Sequence, residues 1–321
     1  MNLHPLNLRV THYAAEAKDV VLIELRAVDD QPLAPFTAGA HLELLIAGHL
    51  PRHYSLLNDP RERDRYVIAV GLPPESRGGS RVVHQQLRLG DTLASSLPRN
   101  HFALDERLQR YCLVAGGIGI TPILAMLRWC QANDKDWRLV YCVRNRQRAA
   151  FYEVLRDLDP DRVHLHVTDE AGCHLDVAAL LDSLHEDEHL YACGPAPMLD
   201  ALNAAAGPRR ERVHVERFNA APPGTEPGSP EADSGFTLHL QRSDRSLWVA
   251  PGQSILEALE ADGINLPFSC RAGLCGSCET PVCAGIPDHR DLILSETDKA
   301  EGRSLMICVS RALSERLVLD L

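Results

Sequence analysis

The chain predicts a multidomain α/β and β protein: an antiparallel β-barrel, a doubly wound parallel-sheet domain, and a C-terminal β-grasp module. Three observations predict this order. Residues 1–104 carry short alternating apolar runs with little helical periodicity, the pattern of an antiparallel barrel. From residue 111 strands alternate with helical stretches, the pattern of a parallel sheet covered on both faces. Residues 220–235 are rich in Pro and Gly with almost no large apolar side chains, so they form a linker and not a core.

Within the barrel region, strands are expected at 19–28, 41–46, 54–57, 66–71 and 92–97. In the second region they are expected at 111–115, 137–143, 162–167, 188–193 and 212–216, with helices such as 122–132 and 195–206 between them. Beyond the linker come short strands at 236–242 and 246–250, a helix from Ser254, a cysteine loop and further short strands. The expected domains are therefore 1–104, 105–219 and 236–321, joined by the 220–235 linker. No internal repeat is found.

Composition is that of a globular protein: 321 residues, 45% hydrophobic and 24% charged. A net charge of −11 argues against nucleic acid, whose phosphates would be repelled. No apolar run approaches the roughly 20 residues of a membrane helix, and residues 1–10 lack a charged-then-apolar leader. The expectation is a soluble, cytoplasmic protein without a membrane partner. Charge is balanced over 1–104 and negative beyond it. An acidic C-terminal module can dock on a basic partner, or simply be a solvated surface.

Cys270, Cys275, Cys278 and Cys308 carry the most specific signal. The spacing C-x4-C-x2-C with a distant fourth cysteine is that of a plant-type [2Fe–2S] cluster, with Gly273 and Gly276 letting the loop wrap closely. Zinc sites usually pair two short hooks, and nothing marks an oxidising compartment that would favour disulfides. Of the other six cysteines most suit small core positions, with Cys193 the exception.

The first parallel strand runs into Gly116-Gly117-Ile118-Gly119-Ile120-Thr121-Pro122, where glycines admit a phosphate, Thr121 can cap the helix and Pro122 suits its first turn. The fourth strand ends in Cys193-Gly194-Pro195. With strand order 3-2-1-4-5 both loops face the crevice where such sheets bind dinucleotides. Cys193 is expected beside the nicotinamide. Arg144, Arg146 and Arg148 after the second strand can grip a 2′-phosphate and favour NADPH, or can be a solvated loop.

A nicotinamide releases two electrons together, whereas a [2Fe–2S] cluster accepts one, so a flavin is required between them. Arg52-His53-Tyr54-Ser55-Leu56 offers a site in the barrel, with Arg52 and Tyr54 on one face of a strand and Ser55 on the other. Ser76-Arg77-Gly78-Gly79-Ser80-Arg81 can cradle a phosphate through N–H groups and guanidinium.

Taken in order, the Arg52-x-Tyr54-Ser55 motif, the Arg77-to-Ser80 turn, both glycine loops and the cysteine module resemble the phthalate dioxygenase reductase family over essentially the whole chain. Within it the resemblance is greatest to reductases of vanillate demethylase, phenoxybenzoate dioxygenase and carnitine monooxygenase systems. The resemblance implies FMN on the barrel, NADH in the second domain and electron flow to the cluster. It implies that Arg52 and the Arg77–Arg81 turn hold the FMN phosphate region. Tyr54 would lie against the isoalloxazine, with Ser55 near its N5. Thr121 and Cys193 would frame the nicotinamide, and Phe218 would cover the flavin. It further implies a separate Rieske-type terminal oxygenase as partner. The alternatives are a haem monooxygenase, a diffusible carrier, or a non-catalytic redox sensor.

Overall fold

The structure is a computed structural model, and it describes residues 4–74, 78–218 and 234–321. The chain divides into two compact units, 1–217 and 218–321.

The first unit opens with β1 (Leu6–Ala17), β2 (Val20–Ala27), β3 (His41–Ile46), β4 (Leu50–Ser55), β5 (Tyr66–Gly71), α1 (Gly79–Gln85) and β6 (Thr92–Ser95). These six strands form one antiparallel sheet of order β4-β3-β6-β1-β2-β5. Alternate apolar residues, among them Leu8, Ile23, Leu25, Leu42, Leu44 and Ile68, fill its interior. The two end strands are bridged just past β4. The Leu57 N–H donates to the Val67 carbonyl at 3.0 Å, and the Val67 N–H donates to Asn58 Oδ1 at 2.9 Å. The buried Asn58 amide also donates to the Arg65 carbonyl at 3.2 Å, so each polar atom that closes the barrel has a partner.

Two expectations are corrected here. β1 was not anticipated, because register shifts at Val10/His12 and Ala15/Ala17 interrupt its two-residue period. The strand expected at 54–57 is β4, Leu50–Ser55; it carries Pro51, which an edge strand tolerates because one side of its backbone is unpaired.

The same unit continues with β7 (Arg110–Gly116), α2 (Ile120–Ala132), β8 (Asp136–Val143), α3 (Tyr152–Leu158), β9 (Val163–Val167), α4 (Thr168–Ala171), α5 (Val177–Asp182), β10 (Glu188–Cys193), α6 (Ala196–Ala205) and β11 (Val213–Glu216). All strand pairs are parallel, in the order β11-β10-β7-β8-β9, as the alternation of strand and helix predicts. Barrel and sheet share one core. Ala38, Leu57, Val67, Ala69 and Phe102 of the barrel pack with Leu113, Ile123, Met126 and Tyr191 of the sheet region. Barrel and parallel sheet thus belong to one compact unit, residues 1–217, where two domains at 1–104 and 105–219 were expected. Polar contacts tie them as well: the Phe151 N–H donates to Glu16 at 2.9 Å, and Arg148 pairs with Asp19.

The second unit contains β12 (Phe236–Leu240), β13 (Arg245–Val249), α7 (Ile255–Ala261), β14 (Glu279–Ala284), β15 (Pro287–Asp288), α8 (Glu296–Glu301), β16 (Ser304–Met306), β17 (Arg311–Ala312) and β18 (Arg316–Leu319). Its main sheet has the order β13-β12-β18-β14-β16, with β12 and β18 parallel and α7 packed on it, a β-grasp. Ser254 caps α7 through a capping box with Glu257. The buried Arg311 guanidinium donates to carbonyls of Ala250, Gln253 and Ser234. The linker expected at 220–235 lies outside the described residues except for Ser234 and Gly235.

Candidate functional site

The nucleotide crevice follows from the strand order. β7 and β10 are neighbours, so the loops that leave their C-terminal ends meet. The meeting is backbone on backbone: a Cβ at Gly119 would stand 2.2 Å from the Cys193 carbonyl oxygen, and one at Gly194 would stand 3.0 Å from the Gly116 Cα. Only glycine permits this approach. Gly117 has φ +54, in the turn that leads to α2. Thr121 does not cap α2 as expected. It occupies the second helical position, is buried, and donates from Oγ1 to the Ile118 carbonyl at 3.0 Å; Pro122 follows in the first turn. Pro195 precedes α6.

Cys193 is wholly buried, and its thiol meets the carboxyl group of Glu216, its register partner on β11. Burial pushes the Cys193 thiol well above its ordinary range. Burial likewise raises the Glu216 carboxyl to about 8, opposed by its hydrogen bond with Cys193. The Glu216 residue is partly exposed as a whole, but its Oε2 is enclosed without a hydrogen-bond partner among the described residues. Glu216 was missed in the sequence, since only the pairing of β10 with β11 brings it to the crevice.

The arginine loop after β8 is engaged by carboxylates. Arg144 lies 3.7 Å from Asp169, Arg146 forms a two-bond fork with Glu170 at 2.7 and 2.8 Å, and Arg148 pairs with Asp19. Asp169 and Glu170 belong to α4, whose Asp169 N–H donates to the Arg144 carbonyl at 3.0 Å. The acidic residues absent from the end of β8 come from the following crossover.

In the barrel, the Arg52 motif and the glycine turn come together. A Cβ at Gly79 would stand 2.6 Å from Arg52 Nε, so the guanidinium stem lies on the first residue of α1. Gly78 precedes the helix at φ +99, while Ser80 is partly buried and Arg81 exposed. Arg77 lies outside the described residues. Tyr54 keeps a neutral phenol, raised to about 12 by burial against the pull of Arg52. Ser55 is buried beside His41, its register partner. His53 lies 3.3 Å from the buried Glu43 carboxylate and edge-on to His41, and Leu56 belongs to the barrel core. Phe218 is 38% exposed and stands at the start of the second unit.

In that unit the four cysteines gather about one loop. The N–H groups of Ala272 and Leu274 donate to Cys270 Sγ at 3.3 and 3.4 Å, and the Cys270 N–H donates to Cys275 Sγ at 3.4 Å. Cys308 is in hydrogen-bond contact with the side chains of both Cys270 and Cys278. None is in a disulfide, and Cys275, Cys278 and Cys308 are buried. Among the described residues no group of three or more His, Cys, Asp or Glu is arranged to hold a single metal ion. The sulfurs, ringed by amide N–H groups, fit a cluster that carries negative charge on its thiolates.

Two outcomes follow. Gly119→Ala forces the two crevice loops apart; overpacking of this kind costs about 1–3 kcal/mol, so NADH should bind roughly tenfold or more weakly while flavin content is unchanged, as read by rapid-mixing kinetics. The Glu216 carboxyl has a folded-state pKa of about 8, above its ordinary value of 4.5. Its contribution to stability is present at acid pH and is lost as pH rises through about 8. Thermal melts across this window should therefore fall more steeply for the native chain than for Glu216→Gln.

Comparison with known proteins agrees with this geometry. Residues 238–313 match the model of a 2Fe-2S iron-sulfur cluster binding domain, and residues 113–204 match an oxidoreductase NAD-binding domain. The chain is 46% identical over 318 residues to phenoxybenzoate dioxygenase subunit beta of Ectopseudomonas oleovorans, covering 99% of this chain and 98% of that one. A solved phthalate dioxygenase reductase, described as a modular structure for electron transfer from pyridine nucleotides to [2Fe–2S], is 38% identical with 98% of both chains covered and a TM-score of 0.70. An intact type IV self-sufficient cytochrome P450 monooxygenase is 37% identical with a TM-score of 0.91; this chain is covered to 98% and spans 41% of that longer one. With its cysteine loop, glycine crevice and full-length likeness taken together, this chain belongs to the phthalate dioxygenase reductase family.

Proposed function

We propose that this reductase delivers electrons to a separate Rieske-type terminal oxygenase. The chain is an NADH-dependent iron–sulfur flavoprotein that uses FMN and a [2Fe–2S] cluster. The observation that carries the proposal is the presence, in one chain, of a nucleotide crevice, an arginine-and-glycine flavin site and a four-thiol loop. FMN, when bound, supplies the conversion between the two-electron chemistry of NADH and the one-electron chemistry of the cluster.

The protein's part is binding and orientation. Arg52, against Gly79 at the start of α1, supplies charge and N–H groups for the FMN phosphate region. Tyr54 offers a buried, uncharged aromatic surface, and Ser55 a buried hydroxyl. The Gly116–Gly119 and Gly194 loops admit the pyrophosphate of NADH, with Thr121, Pro122, Cys193 and Pro195 shaping the wall. Arg144 and its neighbours face carboxylates, which suits a ribose hydroxyl better than a phosphate. Cys270, Cys275, Cys278 and Cys308 hold the cluster. Such clusters sit near −400 mV, about 250 mV below the lower end of the Rieske range, so flow toward a Rieske centre is downhill. Among the described residues no helix is long and apolar enough to cross a membrane.

A second acceptor, a haem monooxygenase, is favoured by the likeness to the self-sufficient cytochrome P450. The experiment is anaerobic rapid mixing with NADH, followed by turnover with purified oxygenases. The flavin bands should bleach first and the cluster bands after them. In Cys275→Ala, flavin should still bleach while transfer to the oxygenase falls at least a hundredfold, about 2.7 kcal/mol or more. A flavin that stays oxidised would favour a redox sensor, and turnover with a haem partner alone would overturn the Rieske proposal.

A further inference from the structure

Gly273 lies between the first two cluster cysteines at φ +67, with no space on either side of it. A Cβ there would stand 2.8 Å from Val309 Cγ2 and 3.0 Å from the Asp291 Cα. Its peptide group is used twice. The N–H of the Gly273–Leu274 peptide donates to Cys270 Sγ at 3.4 Å, and the carbonyl at its other end, that of Gly273, accepts from the Leu292 N–H at 3.1 Å. The segment that makes the second contact also reaches the other side of the ligand set, because the Arg290 N–H donates to Ser310 Oγ at 3.2 Å, two residues beyond Cys308.

Asp291 fixes that segment. Its Oδ2 accepts from the Leu294 N–H at 2.8 Å and the Ile293 N–H at 3.3 Å, a turn that presents the Leu292 N–H to Gly273. The side chain is buried, with the residue only 2% exposed. Its other oxygen, Oδ1, takes no hydrogen bond among the described residues; His289 Nδ1 is 3.6 Å away, and both nitrogens of that buried ring are without hydrogen-bond partners as well. A buried carboxylate satisfied on one side alone is costly, and an apolar side chain could fill the same space without the cost. Packing therefore does not account for it.

We propose that Asp291 is a positioning residue for the cluster: through Leu292 and the Gly273 carbonyl it sets the Leu274 N–H···S bond to Cys270, and with it the potential at which the cluster accepts an electron. Hydrogen bonds to the sulfurs are among the determinants of cluster potential, because an N–H dipole stabilises the charge that reduction adds. The inference rests on the four cysteines holding the cluster, so iron and sulfide content of the unmodified holoprotein is measured first and judges that premise separately.

The test compares Asp291→Ala with Asp291→Asn in the full-length holoprotein. Both remove the negative charge, but the amide oxygen of Asn can still accept from Leu294, so the difference between the variants isolates the turn. EPR-monitored redox titration should place the Ala variant below the Asn variant by a tenfold or greater change in the one-electron equilibrium, about 59 mV or more. The g-values should change in Ala and persist in Asn, while FMN reduction by NADH is the same in both. Failure of the Ala variant to assemble a cluster that the Asn variant does assemble also supports the proposal. Equal midpoints and line shapes in the two variants would overturn it, as would loss of the cluster from both.

Discussion

Two backbones touch where the first and fourth parallel strands end. The Gly119 backbone packs on the Cys193 carbonyl so closely that a single Cβ carbon has no place there. The parallel order β11-β10-β7-β8-β9 makes those strands neighbours, and the glycines let the loops above them close together. Glycine loops of this kind suit a pyrophosphate, and hydride transfer from a nicotinamide needs no catalytic acid or base. Beside these loops, the buried Cys193 lies in register with Glu216. Burial raises both the Glu216 carboxyl and the Cys193 thiol and so favours their neutral forms.

The same economy of reactive groups extends to the other two sites. In the barrel, the Arg52 stem rests on a glycine at the start of α1, so a guanidinium and helix N–H groups stand together. In the β-grasp unit, backbone amides point at sulfurs, and the buried Asp291 carboxylate accepts from the Leu294 N–H in the segment that bonds the loop. What the protein contributes at each station is a fixed dipole or charge near the place where electrons arrive.

Much of this was legible in the sequence because the decisive features are local. The cysteine spacing, the run from Gly116 to Pro122 and the strand–helix alternation each depend on a few adjacent residues. What escaped depends on pairing across distance or on irregular register. β1 was hidden by its bulges. Glu216 acquires meaning only from its alignment with Cys193, and Asp169 and Glu170 only from the crossover that brings α4 to the arginine loop. Thr121 looked like a helix cap from its position, yet the helix begins one residue earlier and its hydroxyl bonds backward to Ile118. Asp291 lies in a segment with no motif, and its contact with Gly273 exists only in three dimensions.

Electron counting judges the whole account most directly. In an anaerobic reductive titration with dithionite, followed optically and by EPR, each chain should take up two electrons into flavin and one into a [2Fe–2S] centre. NADH should fill the same sites. A chain that accepts only the flavin's pair, or whose cluster signal never develops with NADH, would contradict a relay built from these three stations.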